Sequence, residues 1–301
     1  MEYVFIVNPK AGKNEKGMEL IPNIEKTCQD KNIKYQIHVS KGAHDIKNFV
    51  QSLCQTNNHY RFYAIGGDGT LNNVINGTIG YPNVEVGVIP LGTGNDFIKN
   101  FNVSLDNYFD IEKQIYGKTN HIDLIKFEDT YAINLCNIGF DANVAVDMPK
   151  FKKMPLISNH IAYYLSVLFN LTKKLGQHLT IKVDDQLFYD GKVIMCSIGN
   201  GKCCGGGFYV TPHALVNDGL FDLVIVTPTS RLKLAPFMDN IKKGTHIYHK
   251  KTKNNVRFMQ GKDICISSPN SINLVIDGEG FKIKDAKFSL ANYQTKFILP
   301  L

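Results

Sequence analysis

The chain has 301 residues, is 44% hydrophobic and carries a formal net charge of +7. This length is enough for two domains, each with its own core. We find no apolar run long enough to span a bilayer and no signal-peptide cleavage pattern. Seven cysteines at irregular spacing, without paired CxxC motifs, predict reduced thiols, a cytoplasmic location and no zinc site.

Basic clusters contribute much of the positive charge. They are Lys150, Lys152 and Lys153, then Lys173 and Lys174, and residues 249–253. Such charge suits nucleic acid, an anionic membrane surface or a polyphosphate substrate. Solvated lysines explain any single cluster about equally well. Because no aromatic RNA-binding strand or Cys/His finger accompanies these clusters, we expect no nucleic-acid partner.

The first 120 residues alternate apolar strand runs with amphipathic helices. The runs that predict strands are YVFIV (3–7), YQIHV (35–39), RFYAI (61–65) and VEVGVIP (84–90). Apolar residues at helical spacing lie between them, which predicts βαβ units and a parallel sheet. We therefore expect a Rossmann-like α/β domain over residues 1–121.

The pattern changes at about residue 122 to short apolar runs separated by turn signals. ICISS (264–268) and INLVIDGEG (272–280) are interpreted as two of these separate strands. Helical spacing interrupts the strands around 157–175 and 231–245. This arrangement predicts a mainly β domain over residues 122–289, most simply a sandwich. We expect the apolar tail, about 290–301, to return to the first domain.

Three glycine-rich turns follow predicted strands of the first domain. They are NPKAGK (8–13), GGDGT (66–70) and PLGTGND (90–96). Glycine lets backbone N–H groups approach phosphate oxygens, and open α/β sheets bind ligands at the carboxyl ends of their strands. Tight geometry explains one such turn, but three together favour phosphate binding. The common patterns GxxxxGK[ST] and GxGxxG are both missing, so these are not the usual nucleotide-binding loops.

Longer motifs carry a family resemblance. GGDGTLNNVING, PLGTGNDF, GNGKCCGGGFYVTPHALVNDGLFDL and a late DGE together resemble the diacylglycerol kinase catalytic-domain family, especially soluble bacterial lipid kinases of the diacylglycerol kinase B type. GGDGT is shared with NAD kinases and phosphofructokinases, whereas PLGTGNDF and the NDGL block are more specific. The resemblance implies an N-terminal ATP-binding domain of the NAD-kinase and phosphofructokinase type and a C-terminal β-sandwich that binds the lipid.

The resemblance also implies an activity and a set of nucleotide contacts. The activity is transfer of the γ-phosphoryl group of ATP to a lipid alcohol at the membrane surface, with diacylglycerol to phosphatidic acid as the leading reaction. The family often has threonine where Ser40 stands, and serine keeps the hydroxyl. No role is implied for Cys203 or Cys204. The nucleotide contacts are Asn8, Pro9, Lys10, Ala11, Gly12, Ser40, Gly66, Gly67, Asp68, Gly69, Thr70, Leu71, Asn72 and Thr93.

Asp68 places a carboxylate inside a phosphate-binding turn. Such a carboxylate repels ATP unless a divalent cation lies between them, so we assign Asp68 to a Mg²⁺–ATP site. The alternative is a turn aspartate that accepts hydrogen bonds from its own backbone. The resemblance places Asp123 in the same network of aspartate, water and Mg²⁺.

Asp277 and Glu279 form a second acidic site in IDGEG (276–280). Side chains two residues apart in an extended segment project from the same face. The alternative is a hairpin turn, because Asp-Gly is a strong turn signal. The residues alone leave both open. The resemblance implies that Glu279 is the general base and Asp277 its supporting carboxylate, although which of the two is the base stays open.

A third site is implied for LVNDGLFDL (215–223). In the family this loop holds a structural Mg²⁺ through one aspartate and backbone carbonyls, and the matching positions are Leu215, Asp218 and Leu220. A hard cation on a loop needs such oxygen ligands. The alternative is a simple turn between strands.

The predicted helix at 157–175 has a long apolar face. Its members are Ile157, Ile161, Tyr164, Leu165, Leu168 and Leu171. We expect this face to pack in the core, with a lipid-facing role as the alternative. The basic clusters predict peripheral, transient membrane contact, and a homodimer is left open.

Two rival functions remain from the residues. A small-molecule kinase of the NAD kinase type explains GGDGT but not PLGTGND or the NDGL block. A non-catalytic nucleotide- or lipid-binding regulator is expected to lose Asp68, Asp277 or Glu279, and all three are present. The acceptor lipid is open among diacylglycerol, a sphingoid base, ceramide and an undecaprenol-like lipid.

Overall fold

The computed structural model describes residues 1–12, 16–154, 157 and 159–301. The described chain forms two compact units, Met1–Leu124 with Ala291–Leu301, and Ile125–Leu290. Residue 13 of the first glycine-rich turn and residue 158 of the predicted helix at 157–175 lie outside the described residues.

The first unit is built on a six-stranded sheet. Its strands are β1 (Glu2–Val7), β2 (Tyr35–Val39), β3 (Tyr60–Gly66), β4 (Val84–Pro90), β5 (Lys118–Ile122) and β16 (Thr295–Leu299). They lie in the order β2-β1-β3-β4-β16-β5. Strands β1 to β4 pair in parallel, as helical crossovers require. β16 runs parallel to β4 and antiparallel to β5.

Helices connect successive strands of this unit. They are α1 (Lys16–Glu19), α2 (Ile21–Asp30), α3 (Ala43–Cys54), α4 (Asp68–Thr78), α5 (Leu105–Phe109) and α6 (Ile111–Ile115). In α3 the buried residues Ile46, Val50 and Cys54 recur every four positions, so one face of the helix is buried, and Val50 lies against Gly77 of α4. The β3 residues from Phe62 to Ile65 are fully buried, as expected for a strand covered on both faces. The predicted α/β class with a parallel sheet is confirmed.

The second unit is a ten-stranded sheet in which every strand pair is antiparallel. Its strands are β6 (Ile125–Phe127), β7 (Thr130–Ala132), β8 (Leu135–Gly139), β9 (Gln177–Val183), β10 (Gln186–Val193), β11 (Met195–Gly199), β12 (Phe221–Val226), β13 (Val256–Gly261), β14 (Asp263–Ile276) and β15 (Glu279–Leu290). Alternate residues such as Cys136 and Ile138 face one shared core with residues of the other strands. The predicted mainly β class is confirmed.

One strand boundary in this unit was predicted wrongly. Residues 264–268 and 272–280 were expected as separate strands, but one strand, β14, contains the first run and continues through the second as far as Ile276. Its pairing with β15 shifts between Ser267 and Ile272, around Pro269. Proline lacks the N–H that a regular ladder needs, so the chain accommodates it as an irregularity inside a long strand.

Helices α7 (Phe140–Lys152), α8 (Asn159–Thr172) and α9 (Arg231–Lys242) accompany this sheet. The sequence did not predict α7. Its buried residues include Phe140, Val144 and Asp147 at helical spacing, but one is charged and Pro149 lies inside the helix. These two features weaken the apolar pattern. Within the described residues, no helix combines the length and the apolar character needed to cross a bilayer.

The orientation of α8 contradicts the prediction of core packing for part of its apolar face. Small or polar residues, Ala162, Ser166 and Asn170, face inward and are buried. Ser166 donates a hydrogen bond to the carbonyl of Val144 at 2.7 Å, and Asn170 donates to Asp147 at 3.1 Å. These short side chains let α8 approach α7 closely. Ile161, Tyr164 and Leu168 therefore point outward, and their core assignment was wrong, whereas Leu171 packs against the core as predicted.

Candidate nucleotide and catalytic sites

The three glycine-rich turns meet at the carboxyl edge of the first sheet. They follow β1, β3 and β4, which are neighbours in that sheet. The amide of Leu91 donates to the carbonyl of Gly66 at 2.8 Å, which joins the third turn to the second. The side-chain amide of Asn8 donates to the hydroxyl of Thr70 at 3.1 Å, which joins the first turn to the second. The turns therefore form one connected surface of backbone.

Two glycines are required where the second and third turns touch. A Cβ on Gly92 would lie 2.6 Å from the Cα of Gly67, so no larger residue fits without moving the backbone. Helix α4 begins directly after Gly67, and no side chain caps its first turn. A helix start next to glycine-rich backbone favours a bound anion, because main-chain N–H groups and the helix dipole both attract negative charge.

Asp68 is the first residue of α4, and its carboxylate holds the third turn in place. Its two oxygens accept hydrogen bonds from the amides of Asp96 at 3.0 Å and Phe97 at 3.1 Å. The donors lie on another turn, so they differ from those of the alternative in which Asp68 bonds its own backbone. Burial raises the pKa of Asp68 despite these bonds, and the neighbouring Asp96 carboxylate raises it further. A bound cation would stabilise this pair of carboxylates.

Asp96 is a site residue that the sequence analysis did not single out. Its side chain is almost fully buried and forms an ion pair with Lys99 at 2.6 Å. A Cβ on Gly94 would lie 3.0 Å from an Asp96 oxygen and 3.4 Å from an Asp68 oxygen, so the two carboxylates flank the same glycine. An acid inside PLGTGND, the third phosphate-type turn, was the signal that could have revealed it.

The remaining predicted nucleotide residues differ in exposure. Lys10, Gly69 and Thr93 are exposed, while Asn8, Pro9 and Gly67 are half-buried. Ser40 is buried beside the first turn, since its amide donates to the carbonyl of Val7 at 2.8 Å. The other buried members are Ala11, Gly66, Thr70, Leu71 and Asn72, and Gly12 takes a positive φ of 80°.

Asp123 lies near the end of the first segment of this unit. It is buried and accepts a hydrogen bond from the side-chain amide of Gln294 at 2.8 Å. This bond ties Asp123 to the returning tail just before β16. Its assignment to a magnesium network stays a prediction.

Asp277 and Gly278 form the two-residue turn between β14 and β15. Ile276 pairs with Glu279 across the hairpin, and the turn residues have φ values of 43° and 95°. Two positive φ values match the turns that fit the twist of a hairpin. The expectation of an extended segment with both carboxylates on one face was therefore wrong, and the hairpin alternative is correct.

The Asp277 carboxylate binds three consecutive backbone amides. Ile133 donates at 2.7 Å, Leu135 at 2.8 Å and Asn134 at 3.2 Å. Two of these amides lie between β7 and β8 and the third belongs to the first residue of β8, so Asp277 fixes the hairpin end against the start of β8. Glu279, the first residue of β15, is exposed.

The predicted structural-metal loop is a turn whose acid binds its own backbone. Asp218 is exposed and accepts a hydrogen bond from the amide of Leu220 at 3.1 Å, and the side chain of Leu215 is exposed. No group of three His, Cys, Asp or Glu side chains arranged for a metal ion occurs in the described part of the chain. The proposed ligand set relies on backbone carbonyls, and it stays a prediction.

Two buried acids of the second unit were not predicted. Asp222 accepts a hydrogen bond from Gln260 at 2.8 Å, and burial raises its pKa to about 6. Asp141 lies in the first turn of α7, and among the described residues no donor makes a well-formed hydrogen bond to its buried oxygens. Burial raises the pKa of Asp141 to about 7, although the Ala142 amide and Ser197 lie close enough to offset part of this rise.

Two family models cover most of the chain. Residues 2–127 match the diacylglycerol kinase catalytic domain, and residues 134–290 match the YegS C-terminal NAD kinase beta sandwich-like domain. The chain belongs to the diacylglycerol kinase catalytic-domain family. A diacylglycerol kinase of Staphylococcus saprophyticus is 30% identical over 276 residues, which cover 91% of this chain and 87% of that relative.

Solved structures share the fold of this family member. A diacylglycerol kinase from Bacillus anthracis superposes with a TM-score of 0.72 at 18% identity, covering 99% of this chain and 96% of that structure. An NAD kinase from Archaeoglobus fulgidus in complex with ATP superposes with a TM-score of 0.54 at 10% identity. The superposition covers 100% of this chain and 94% of that structure. The resemblance inferred from the motifs is confirmed, and family membership makes this chain a kinase-type enzyme.

Proposed function

We propose that this protein is an ATP-dependent lipid kinase that phosphorylates diacylglycerol to phosphatidic acid. The observation that carries the proposal is the convergence of three glycine-rich turns around the carboxylates of Asp68 and Asp96. This surface offers backbone N–H groups for phosphates and acidic oxygens for a cation. The diacylglycerol kinases among its relatives support a lipid acceptor.

Magnesium fits the acidic pair of the first unit. Asp68 and Asp96 would hold it, since both supply the oxygen ligands that Mg²⁺ prefers. A cation would also relieve the unfavourable burial of the Asp68 charge next to a second carboxylate. When bound, Mg²⁺ neutralises charge on the nucleotide phosphates. Asp123 is proposed to belong to the same network.

The transfer itself needs a proton acceptor. The hydroxyl oxygen of the lipid attacks the γ-phosphorus, the bond from that phosphorus to the β-phosphate oxygen breaks, and ADP leaves. We assign the hydroxyl proton to the Glu279 carboxylate. The exposure of Glu279 at the start of β15 supports this role. The oxygens of Asp277, by contrast, already accept hydrogen bonds from three backbone amides. Asp277 is then a positioning residue for the hairpin.

A phosphoryl-transfer screen tests this function. The full chain is incubated with labelled ATP, Mg²⁺ and mixed micelles that contain diacylglycerol, a sphingoid base, ceramide or undecaprenol, and NAD is supplied in a separate reaction. We expect labelled phosphatidic acid as the main product, with Asp68→Asn as the inactive control. Label in another lipid would correct the acceptor, label in NAD would replace the function, and label in no product would overturn the kinase assignment.

A further inference from the structure

Asn95 lies inside the third glycine-rich turn, where its side chain binds the backbone of the turn itself. The side-chain amide donates to the carbonyl of Pro90 at 3.1 Å and to the carbonyl of Gly92 at 2.9 Å. The backbone of Asn95 is left-handed, with a φ of 46°, a conformation that asparagine adopts more readily than most residues. Asn95 therefore joins the start of the turn to its middle from within.

The surroundings of Asn95 determine which way its side-chain amide faces. Turning the amide over would place its oxygen against two carbonyl oxygens, so only the N–H groups fit there. The side-chain oxygen is buried, and no donor among the described residues binds it. A Cβ on Gly92 would lie 2.7 Å from this oxygen, so glycine at that position makes room for the side chain. A left-handed backbone and an unpaired buried oxygen in one residue are features that concentrate at functional sites.

The two carbonyls that this side chain binds fix the direction of two N–H groups. In a planar trans peptide the C=O and the N–H of the next residue point in opposite directions. The peptide from Pro90 to Leu91 is held on both sides, since the Leu91 amide donates to the carbonyl of Gly66. The peptide from Gly92 to Thr93 is held only at its carbonyl. The Thr93 N–H therefore points away from the side chain that binds its peptide.

Four consecutive amides of this turn have no acceptor within the described part of the chain. They belong to residues 92–95, whereas the next two amides, of Asp96 and Phe97, bind the Asp68 carboxylate. Successive N–H groups around a left-handed residue form a concave site for anions. Phosphate oxygens accept hydrogen bonds and donate none when ionised, so they match a row of amides whose neighbouring carbonyls are already bound.

We propose that Asn95 is a positioning residue for the phosphate chain of the nucleotide. By binding the carbonyls of Pro90 and Gly92, it keeps the amides of residues 92–95 available to phosphate oxygens. Without these bonds the peptides are free to rotate, and the turn has to be ordered when the ligand binds. The alternative is a role in stability alone, which predicts the same effect on ligands with and without phosphate. The inference rests on the proposed function only in that the ligand is a nucleoside triphosphate.

Calorimetric titration of the full chain with adenosine, ADP and ATP, each with Mg²⁺, tests this role. Asn95→Gly allows the left-handed backbone but removes both hydrogen bonds, so ATP should bind at least about tenfold more weakly. Adenosine, which has no phosphate, should change by less than about twofold. The matched control is Asn57→Gly, at an exposed position of the same unit with a φ of 60°, which should bind ATP as wild type does. Equal losses for adenosine and ATP, or no loss, would overturn the proposal.

A second variant and a measurement on wild type guard against a failure to fold. Asn95→Asp keeps the size of the side chain but places a carboxylate against two carbonyls, so ATP should again bind more weakly than adenosine does relative to wild type. Hydrogen exchange of the wild-type chain needs no variant. The amides of residues 92–95 should exchange rapidly alone and at least about tenfold more slowly with Mg²⁺ and ATP, whereas the Leu91 amide should be protected in both states. Unchanged exchange at residues 92–95 would overturn the proposal.

Enzyme assays separate this inference from the proposed function. With diacylglycerol as acceptor, Asn95→Gly should raise the KM for ATP and leave the KM for the lipid within about twofold of wild type. If wild type phosphorylates no lipid while ATP binding still depends on Asn95, the kinase proposal fails and the positioning role stands. If wild type is active and Asn95→Gly has the same KM for ATP, the positioning role fails and the kinase proposal stands.

Discussion

Each unit contains an aspartate whose carboxylate accepts hydrogen bonds from a distant backbone segment, but the surroundings of the two carboxylates differ. In the first unit Asp68 accepts hydrogen bonds from two amides and lies close to another carboxylate, that of Asp96. In the second unit Asp277 accepts three consecutive amides at a hairpin turn. Asp68 therefore lies beside a second carboxylate whose charge Lys99 offsets in part, whereas Asp277 is bound by a set of converging N–H groups.

This difference separates a role in binding from a role in structure. Amide donors stabilise a carboxylate without any cation, as at Asp277. A buried carboxylate beside another one is costly until a cation or a proton arrives, as at Asp68. We infer that the Asp68 site depends on its ligand, while Asp277 mainly fixes the position of Glu279.

The largest effect is expected for Glu279→Gln, next to the anchored Asp277. Glutamine keeps the size of the side chain but cannot accept the lipid hydroxyl proton, so kcat should fall by about 10²–10⁴. The KM for ATP should stay unchanged, and both constants are measured with diacylglycerol in mixed micelles. Glu128→Gln, at an exposed position of the same unit, is the control and should remain active. If Glu279→Gln keeps most of its turnover while a folded Asp277→Asn is inactive, the base is Asp277.

Asp68→Asn should reduce activity by about 10²–10³, the usual effect of removing one preorganised charged group from a transition state. The melting temperature should change little, because asparagine keeps one acceptor oxygen and removes a buried charge. Calorimetry and a Mg²⁺ titration of activity measure the two effects. Asp106→Asn removes an exposed charge from the same unit and should match wild type. Near wild-type turnover of Asp68→Asn at saturating Mg²⁺ would exclude the metal role.

Asp277→Asn should mainly lower stability. Asparagine tolerates the positive φ of this turn but has one acceptor oxygen, so buried amides lose their partner at a cost of about 2–4 kcal/mol. Urea unfolding measures the loss. Asp185→Asn makes the same substitution in the exposed turn between β9 and β10, also at positive φ, and should cost far less. Equal stability of both variants would show that the amide bonds to Asp277 contribute nothing.

Sequence periodicity was sufficient for the parallel sheet and insufficient for α7 and α8. Strand β4 has the predicted bounds because its apolar run is buried on both faces and ends at Pro90. The inward positions of α7 and α8 hold Asp147, Ser166 and Asn170, so the rule that apolar residues face the core missed α7 and misplaced part of α8. These polar residues satisfy one another only after the helices meet, and no local pattern contains that information.

Site residues were predictable where a motif determined the local backbone. The glycine turns were found because glycine spacing is a local signal. Asp96 lies within one of them, PLGTGND, although it was not singled out. The partners of Asp277 were not predictable, since the amides it binds lie more than 140 positions away in sequence. Local residue spacing can therefore predict a turn, but it cannot predict hydrogen bonds between residues that are distant in the sequence.

Asp141 provides the smallest and most direct test of how amide donors affect a buried carboxylate. Unlike Asp277 it has no set of converging amides, and burial raises its pKa to about 7 from an ordinary value near 3.8. Because the pKa is raised in the folded state, protonated Asp141 contributes to the free energy of unfolding. This contribution is complete below about pH 4 and is lost as the pH rises through about 7. Asp141→Asn abolishes the titration. The stability of the variant relative to wild type should therefore rise by about 1 kcal/mol between pH 5.5 and 6.5.

The difference between the two proteins isolates this one group. His246, whose pKa is lowered to about 4 by burial, and Asp222, with a pKa of about 6, titrate in both proteins and cancel in the comparison. Urea unfolding at closely spaced pH values measures the difference. If the two stability curves stay parallel from pH 4 to 8, Asp141 is ionised throughout, and a carboxylate in this interior would not need amide donors like those that bind Asp277.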